Sequence, residues 1–360
     1  MITKGVQAGL LLAMLLGLPA LGLFISGQDV ASVLQFPSQT KWVNPPGFSW
    51  WIFAFFLIAE CACILPLLAW CLFRVQPQLF FARRHRRLPW YGWVGLVLTA
   101  TAWVLAWTRL PCFAWGQLYT FPFLWIGYIL VVNALTYRRS GRCMLQDRPQ
   151  KLLILFPLSS IFWWFFEYLN RFVHNWHYLA VEGMSSSEYV LHASICFATV
   201  LPAVLSTRDL LSTFPVFDQC YARIMPLRPS HPRGLALTVC ALAGAGLVGI
   251  GIWPNQLFPL LWVSPLLILV SVQALFAQDQ VFSPLAEGNW TPVVTAALAA
   301  LICGFFWEMW NVNSMAKWVY SIPYVQRFQI FEMPILGYAG YLPFGLQCAA
   351  VETWILRSWQ

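Results

Sequence analysis

A chain of 360 residues with 60% apolar side chains and only 9% charged ones is not an ordinary soluble globule, in which roughly 25% of residues carry charge. The net charge of +8 suggests nucleic acid at first sight. Its distribution along the chain gives a better account.

Apolar stretches recur over the whole length, so the surplus is organised into spans. We place ten, at 7–26, 49–73, 90–108, 118–137, 151–169, 188–206, 234–253, 257–276, 291–310 and 333–355. The first also fits a signal peptide, with Lys4 before a Leu-rich run. Alternating loops put 16 of the 21 Lys and Arg on one side. That side holds Lys4, Arg74, Arg83, Arg84, Arg86, Arg87, Arg138, Arg139, Arg142, Arg148, Lys151, Arg208, Arg223, Arg228, Arg233 and Arg357, and the other holds Lys41, Arg109, Arg171, Lys317 and Arg327. The positive-inside rule then sets both termini in the cytoplasm of an inner (plasma) membrane. The run from Arg83 to Arg87 is a topology anchor near anionic headgroups, and nucleic acid is not expected as a partner. The 10 Cys form no CxxC pair or zinc spacing, so neither a disulfide framework nor a structural metal is expected.

The expected fold is all-α, a polytopic integral membrane bundle of about ten helices. Two halves of the chain repeat. Phe121-Pro122-Phe123-Leu124-Trp125 matches Phe258-Pro259-Leu260-Leu261-Trp262, and Gly95-Leu96 matches Gly234-Leu235. Phe166-Glu167-Tyr168-Leu169-Asn170 matches Trp307-Glu308-Met309-Trp310-Asn311, and Leu201-Pro202 matches Leu342-Pro343. Each unit has four spans, an even number, so the copies run parallel. Three segments follow: 1–89 with two helices and a basic loop, 90–233 with the first repeat, and 234–360 with the second.

The Glu-x-x-Asn pairs Glu167/Asn170 and Glu308/Asn311 put acid and amide on one helix face. Each lies at the outer end of its span among aromatics, including Trp164 and Trp307. A Trp-x-Tyr follows each (Trp176 and Tyr178, Trp318 and Tyr320), and then a second acid, Glu188 or Glu332. An acid in such surroundings is costly to ionise, which suits a proton donor, and aromatic faces stabilise cations. The six residues Glu167, Glu308, Asn170, Asn311, Glu188 and Glu332 are therefore candidate catalytic groups. The plain alternative is that they fix the bundle by hydrogen bonds, and Glu188 and Glu332 suit helix N-termini in any case. Glu60 sits mid-span, where an acid is a candidate functional group or an interhelical hydrogen bond. His174, His177 and His192 make a metal site with Glu geometrically open, but the second repeat offers Met315, Val319 and Leu336 instead. No cofactor is expected. The glycines Gly244, Gly246, Gly249 and Gly251 suit close helix packing.

The segments 162–202 and 305–343 resemble the heterodimer-type lycopene cyclases, small membrane proteins made from two homologous halves. Phe166-Glu167-Tyr168 with Asn170 is similar to the sterol isomerases related to emopamil-binding protein. The single acid of Phe331-Glu332-Met333-Pro334 departs from the Pro-x-Glu-Glu motif expected of the cyclases. The resemblance implies an isoprenoid-modifying activity, as in carotenoid biosynthesis, with Glu167, Glu308, Glu188 and Glu332 as proton donors and cation-stabilising acids. Three readings follow. The first is an acid-catalysing enzyme acting on an isoprenoid or other membrane lipid at the outer half of the bilayer, with Trp164, Trp176, Tyr178, Trp307, Trp318, Tyr320 and Glu60 lining the substrate. The second is a transporter or lipid translocator. The third is a non-catalytic subunit with a membrane-protein partner.

Overall fold

A computed structural model describes residues 2–37, 42–76 and 86–356. Lys41, Arg83, Arg84 and Arg357, which the sequence assigns to loops and a tail, lie outside the described residues. The protein is mostly helical with almost no sheet. Its main helices are α1 (Ile2–Ile25), α2 (Trp50–Arg74), α3 (Trp90–Trp107), α4 (Thr120–Ser140), α5 (Pro149–Val173), α6 (Ser186–Phe197), α7 (Val200–Leu211), α8 (Pro215–Tyr221), α9 (Pro232–Ile252), α10 (Leu260–Leu275), α11 (Thr291–Asn311) and α12 (Tyr341–Leu356).

Among the described residues eight stretches are long and apolar enough to cross a membrane, α6 and α7 counting as one. This makes the chain a membrane protein. Of the ten expected spans, the two remaining fall on α10 and α12, each a helix of 16 residues. A 3-10 turn at Ile335–Gly340 precedes α12. Apolar side chains on the periphery, such as Trp51 at 87% and Phe73 at 90% exposure, make sense only against lipid.

The break between α6 and α7 has a local cause. Pro202 has no N–H to give the preceding turn, which frees a carbonyl there. Ser159 of α5 enters the neighbouring bond, between Leu201 N and Phe197 O: its hydroxyl donates to Phe197 O at 2.6 Å and accepts from Leu201 N at 2.9 Å. The buried α7 then packs against α4, α5, α11 and α12. Elsewhere α1 crosses α9 where Gly22 meets Gly251, and a Cβ at Gly251 would stand 2.5 Å from Pro19 O. The glycines in α9 thus serve helix contact. Helix α2 is the least embedded, with 6% of its apolar window buried inside the protein.

After α5 and α11 the chain forms short strands, β1 (Trp176–Tyr178) and β2 (Trp318–Tyr320). They pair antiparallel with Trp176 opposite Tyr320 and Tyr178 opposite Trp318. A second ribbon, β3 (Gln329–Ile330) with β4 (Met333–Pro334), lies in the loop before α12.

Candidate functional site

The ribbon β1–β2 closes one end of the bundle, and both acids of the Glu-x-x-Asn pairs anchor it. Glu167 and Asn170 share a face of α5 at its last turns. Asn170 Oδ1 accepts from the backbone N–H of Asn175 (2.8 Å) and Trp176 (3.3 Å), and its Nδ2 donates to Trp176 O at 2.7 Å. One amide therefore satisfies three backbone groups that the turn out of the helix would otherwise orphan. That turn needs a left-handed residue, supplied by His174 at φ 51°. Asn311 does the same in α11, accepting from Trp318 N at 2.9 Å and donating to Trp318 O at 2.7 Å.

With the strands fixed, their aromatics turn back onto the acids. Glu167 Oε1 accepts from Trp163 Nε1 (3.0 Å), Trp176 Nε1 (2.9 Å) and Tyr178 Oη (2.7 Å). Glu308 Oε1 accepts from Tyr320 Oη (2.6 Å), Tyr341 Oη (2.8 Å) and, at 3.4 Å, Trp318 Nε1. Both acids are buried, at 1% and 0% exposure. Glu308 Oε2 has no hydrogen-bond partner among the described residues. Among the described residues no Lys or Arg forms a salt bridge with either carboxyl; neutral phenols and indoles hydrogen-bond them.

Beside this layer lies a cavity of about 550 Å³, within the range of small-molecule sites. Trp163, Trp176, Tyr178, Trp318, Tyr320 and Tyr341 line it, but Glu167 and Glu308 stand behind them and do not reach its surface. The acid that does reach it is Glu60 of α2, half-buried and without a hydrogen bond to any described residue. Among the described residues no Lys or Arg is in the lining.

The other expected site residues divide. Trp307 lines the cavity and stacks on Tyr341. Trp164 points away, donating to Ser194 Oγ at 2.9 Å. Glu188 is not at the cavity: it closes a capping box with Ser185 at the start of α6. Glu332 pairs with Lys317 Nζ at 2.6 Å. The three histidines do not converge. His192 lines the cavity and meets the Tyr119 ring, whereas His177 packs on Trp42. Among the described residues no group of three or more His, Cys, Asp or Glu can hold a metal.

Two features escape the motifs. Tyr341 and Trp163 complete the two acid sites from positions that do not correspond. At the offset of 141 residues that relates Glu167 to Glu308, Trp163 faces Gly304, and Tyr341 faces Val200. A side chain at Gly304 would run into the Tyr341 ring, so the glycine opens the space through which that phenol reaches Glu308. At the opposite end of the bundle, Glu352 of α12 is buried between Lys151 (2.7 Å) and Arg208, which also holds Asp209 at 2.9 Å. Lys151 stands at the start of a span, where the sequence suggests a topology charge, and its side chain is only 3% exposed.

Compared with family models, curated proteins and solved structures, the chain matches none of them.

Proposed function

We propose that this protein is a membrane enzyme that performs acid catalysis on a hydrophobic, uncharged lipid of the isoprenoid kind. The observation that supports the reading is an aromatic cavity with a single unpaired carboxyl, Glu60, and, among the described residues, no Lys or Arg in its wall. Such a wall accepts a hydrocarbon chain and attracts positive charge developing on it, and it offers a phosphate no Lys or Arg to pair with.

In this reading Glu60 meets the substrate and gives or takes the proton. Tyr178, Tyr320 and Tyr341 present phenols to the cavity with Glu167 and Glu308 behind them. Tyr320 and Tyr341 donate to Glu308 Oε1 at rest; when the acid is protonated, one hydroxyl turns to give its proton to the substrate and takes the acid's proton in its place, so one proton crosses the aromatic layer. Asn170 and Asn311 are positioning residues. The architecture that goes with this reading has ten spans in two parallel four-helix repeats after two extra helices. Both termini face the cytoplasm, and the acid sites lie toward the outer side.

The test is lipid mass spectrometry on cells with and without the gene, rescued by wild type, Glu60→Gln or the double variant Glu167→Gln/Glu308→Gln. The expected result is a lipid species present only with the wild-type protein, lost with Glu60→Gln and reduced at least tenfold in the double variant. A lipid profile that does not change with the wild-type gene overturns the enzyme reading.

One observation favours transport as a second reading. A polar cavity of about 380 Å³, lined by Arg208, Asp218 and Asn289, lies toward the end of the bundle opposite the acids. Two cavities on opposite sides of a packed middle suit alternating access. A pH-dependent flux in proteoliposomes that vanishes with Glu60→Gln is what this reading expects.

A further inference from the structure

Helix α2 carries the cavity acid yet is barely embedded, so whatever holds it governs the cavity. Its first turns pack on Phe328 through Trp50 and Phe53, and its last two turns are held by hydrogen bonds against the short helix α8. Trp70 Nε1 donates to Cys220 O at 2.8 Å, and Tyr221 Oη donates to Leu67 O at 3.3 Å. Arg74 reaches Arg223 O at 3.4 Å while lying over the Trp70 ring. In the middle of these contacts two thiols touch: Cys71 Sγ stands 2.7 Å from Cys220 Sγ, and Cys220 Sγ is 3.7 Å from Cys71 O. Other cysteines meet different groups: Cys143 a phenol, Cys196 an imidazole, Cys303 a hydroxyl.

We propose that Cys71 and Cys220 are a redox site, closing to a reversible disulfide that ties α2 to α8 when the protein meets a peroxide. The two sulfurs are unequal in a way that assigns their roles. Cys71 is half-buried and open to an oxidant, whereas Cys220 is fully buried. Cys71 sulfur attacks the peroxide, the O–O bond breaks, and a sulfenic acid forms with release of water. Cys220 sulfur then displaces the sulfenic oxygen, which leaves as a second water carrying the Cys220 proton. Two thiols lose two electrons and the peroxide gains them. A thiol reductant restores the open form. The bridge would close a loop between residues 149 positions apart, and tethers across long loops restrict the chain most.

The experiment uses the full-length protein in lipid nanodiscs, treated with hydrogen peroxide, alkylated with N-ethylmaleimide and mapped by mass spectrometry. The expected result is a peptide pair joined through Cys71 and Cys220, lost on reduction and in Cys71→Ser and Cys220→Ser, and kept in Cys63→Ser. Mapping the wild type alone tests the proposal even if a serine variant fails to fold. Separate alkylation of Cys71 and Cys220 after peroxide, or a bridge to Cys61 or Cys63, overturns it. The tether should also raise the unfolding temperature of oxidised wild type but not of Cys71→Ser. A linked protein that melts where the reduced one does would overturn the tether.

Discussion

Glu167 and Glu308 occupy corresponding places in the bundle, yet each is satisfied by a different set of donors. Glu167 draws on its own helix: Trp163, one turn earlier, supplies an indole beside Trp176 and Tyr178. Glu308 has glycine at that place and takes its third donor from the next long helix, where Tyr341 enters over Gly304. The difference teaches that what both sites keep is the environment, a buried carboxyl facing neutral donors. The residues that build it are exchangeable if their space is exchanged too. The substitution also loosens the second site, since Trp318 withdraws to 3.4 Å and Glu308 Oε2 is left bare. A bare buried oxygen is costly, so Glu308 is the acid with a proton position to spare.

The largest effect should come from breaking that exchange. Gly304→Trp drives an indole into the Tyr341 ring and should cost about 3 kcal/mol, the upper end for an overpacked core. Adding Tyr341→Val, which copies Val200 of the first site, should recover at least half of the loss. Unfolding midpoints in detergent measure both. If the double variant is no more stable than Gly304→Trp alone, the two positions are not an exchanged pair.

Losses of up to the same size sharpen the comparison at the amides. Asn170 makes three hydrogen bonds to the turn and ribbon, and Asn311 makes two. At about 1 kcal/mol each, Asn170→Ala should cost about 3 kcal/mol and Asn311→Ala about 2 kcal/mol. Amide exchange in residues 174–178 and 318–321 should rise in both variants. Equal losses would mean that the ribbon, joined across by Ser321 N to Asn175 O at 2.9 Å, shares its anchors.

Eight of the ten expected spans were legible because each needs only a run of apolar residues, and the paired acids because Glu-x-x-Asn recurs at a constant offset. The partners of the acids were half legible. Trp176, Tyr178, Trp318 and Tyr320 follow the helices by a short loop, but Tyr341 comes from a helix 33 residues on, and only the fold brings it near. The place of Glu60 in the cavity wall depends on how α2 leans on the bundle, which its sequence does not encode. Glu188 and Glu332 misled because an acid beginning a helix reads alike whether it serves a cap, an ion pair or a reaction. Glu188 meets Ser185 and Glu332 meets Lys317. Lys151 was hidden for the opposite reason: a lysine at a span boundary reads as a surface charge, and its partner Glu352 lies 201 residues away by the numbering.

The smallest predicted effect tests the asymmetry of the ribbon itself. In β1 His177 pairs with Val319 of β2, and His174 precedes it at the end of α5. Burial holds both imidazoles below their ordinary 6.5, so in the folded protein they stay neutral where the unfolded chain takes up protons. Stability from this source is complete above pH 6.5 and is lost as the pH falls below it, toward the depressed folded values. His177→Val copies the opposite strand, and His174→Asn keeps a residue that tolerates positive φ. The double variant should therefore unfold at a temperature that changes less between pH 7.5 and pH 5 than that of wild type. The matching change on the second strand, Val319→Thr, adds no titrating group and should leave the pH slope as it is. A slope that persists without the two histidines would move the pH sensitivity away from the ribbon and onto the acids behind it.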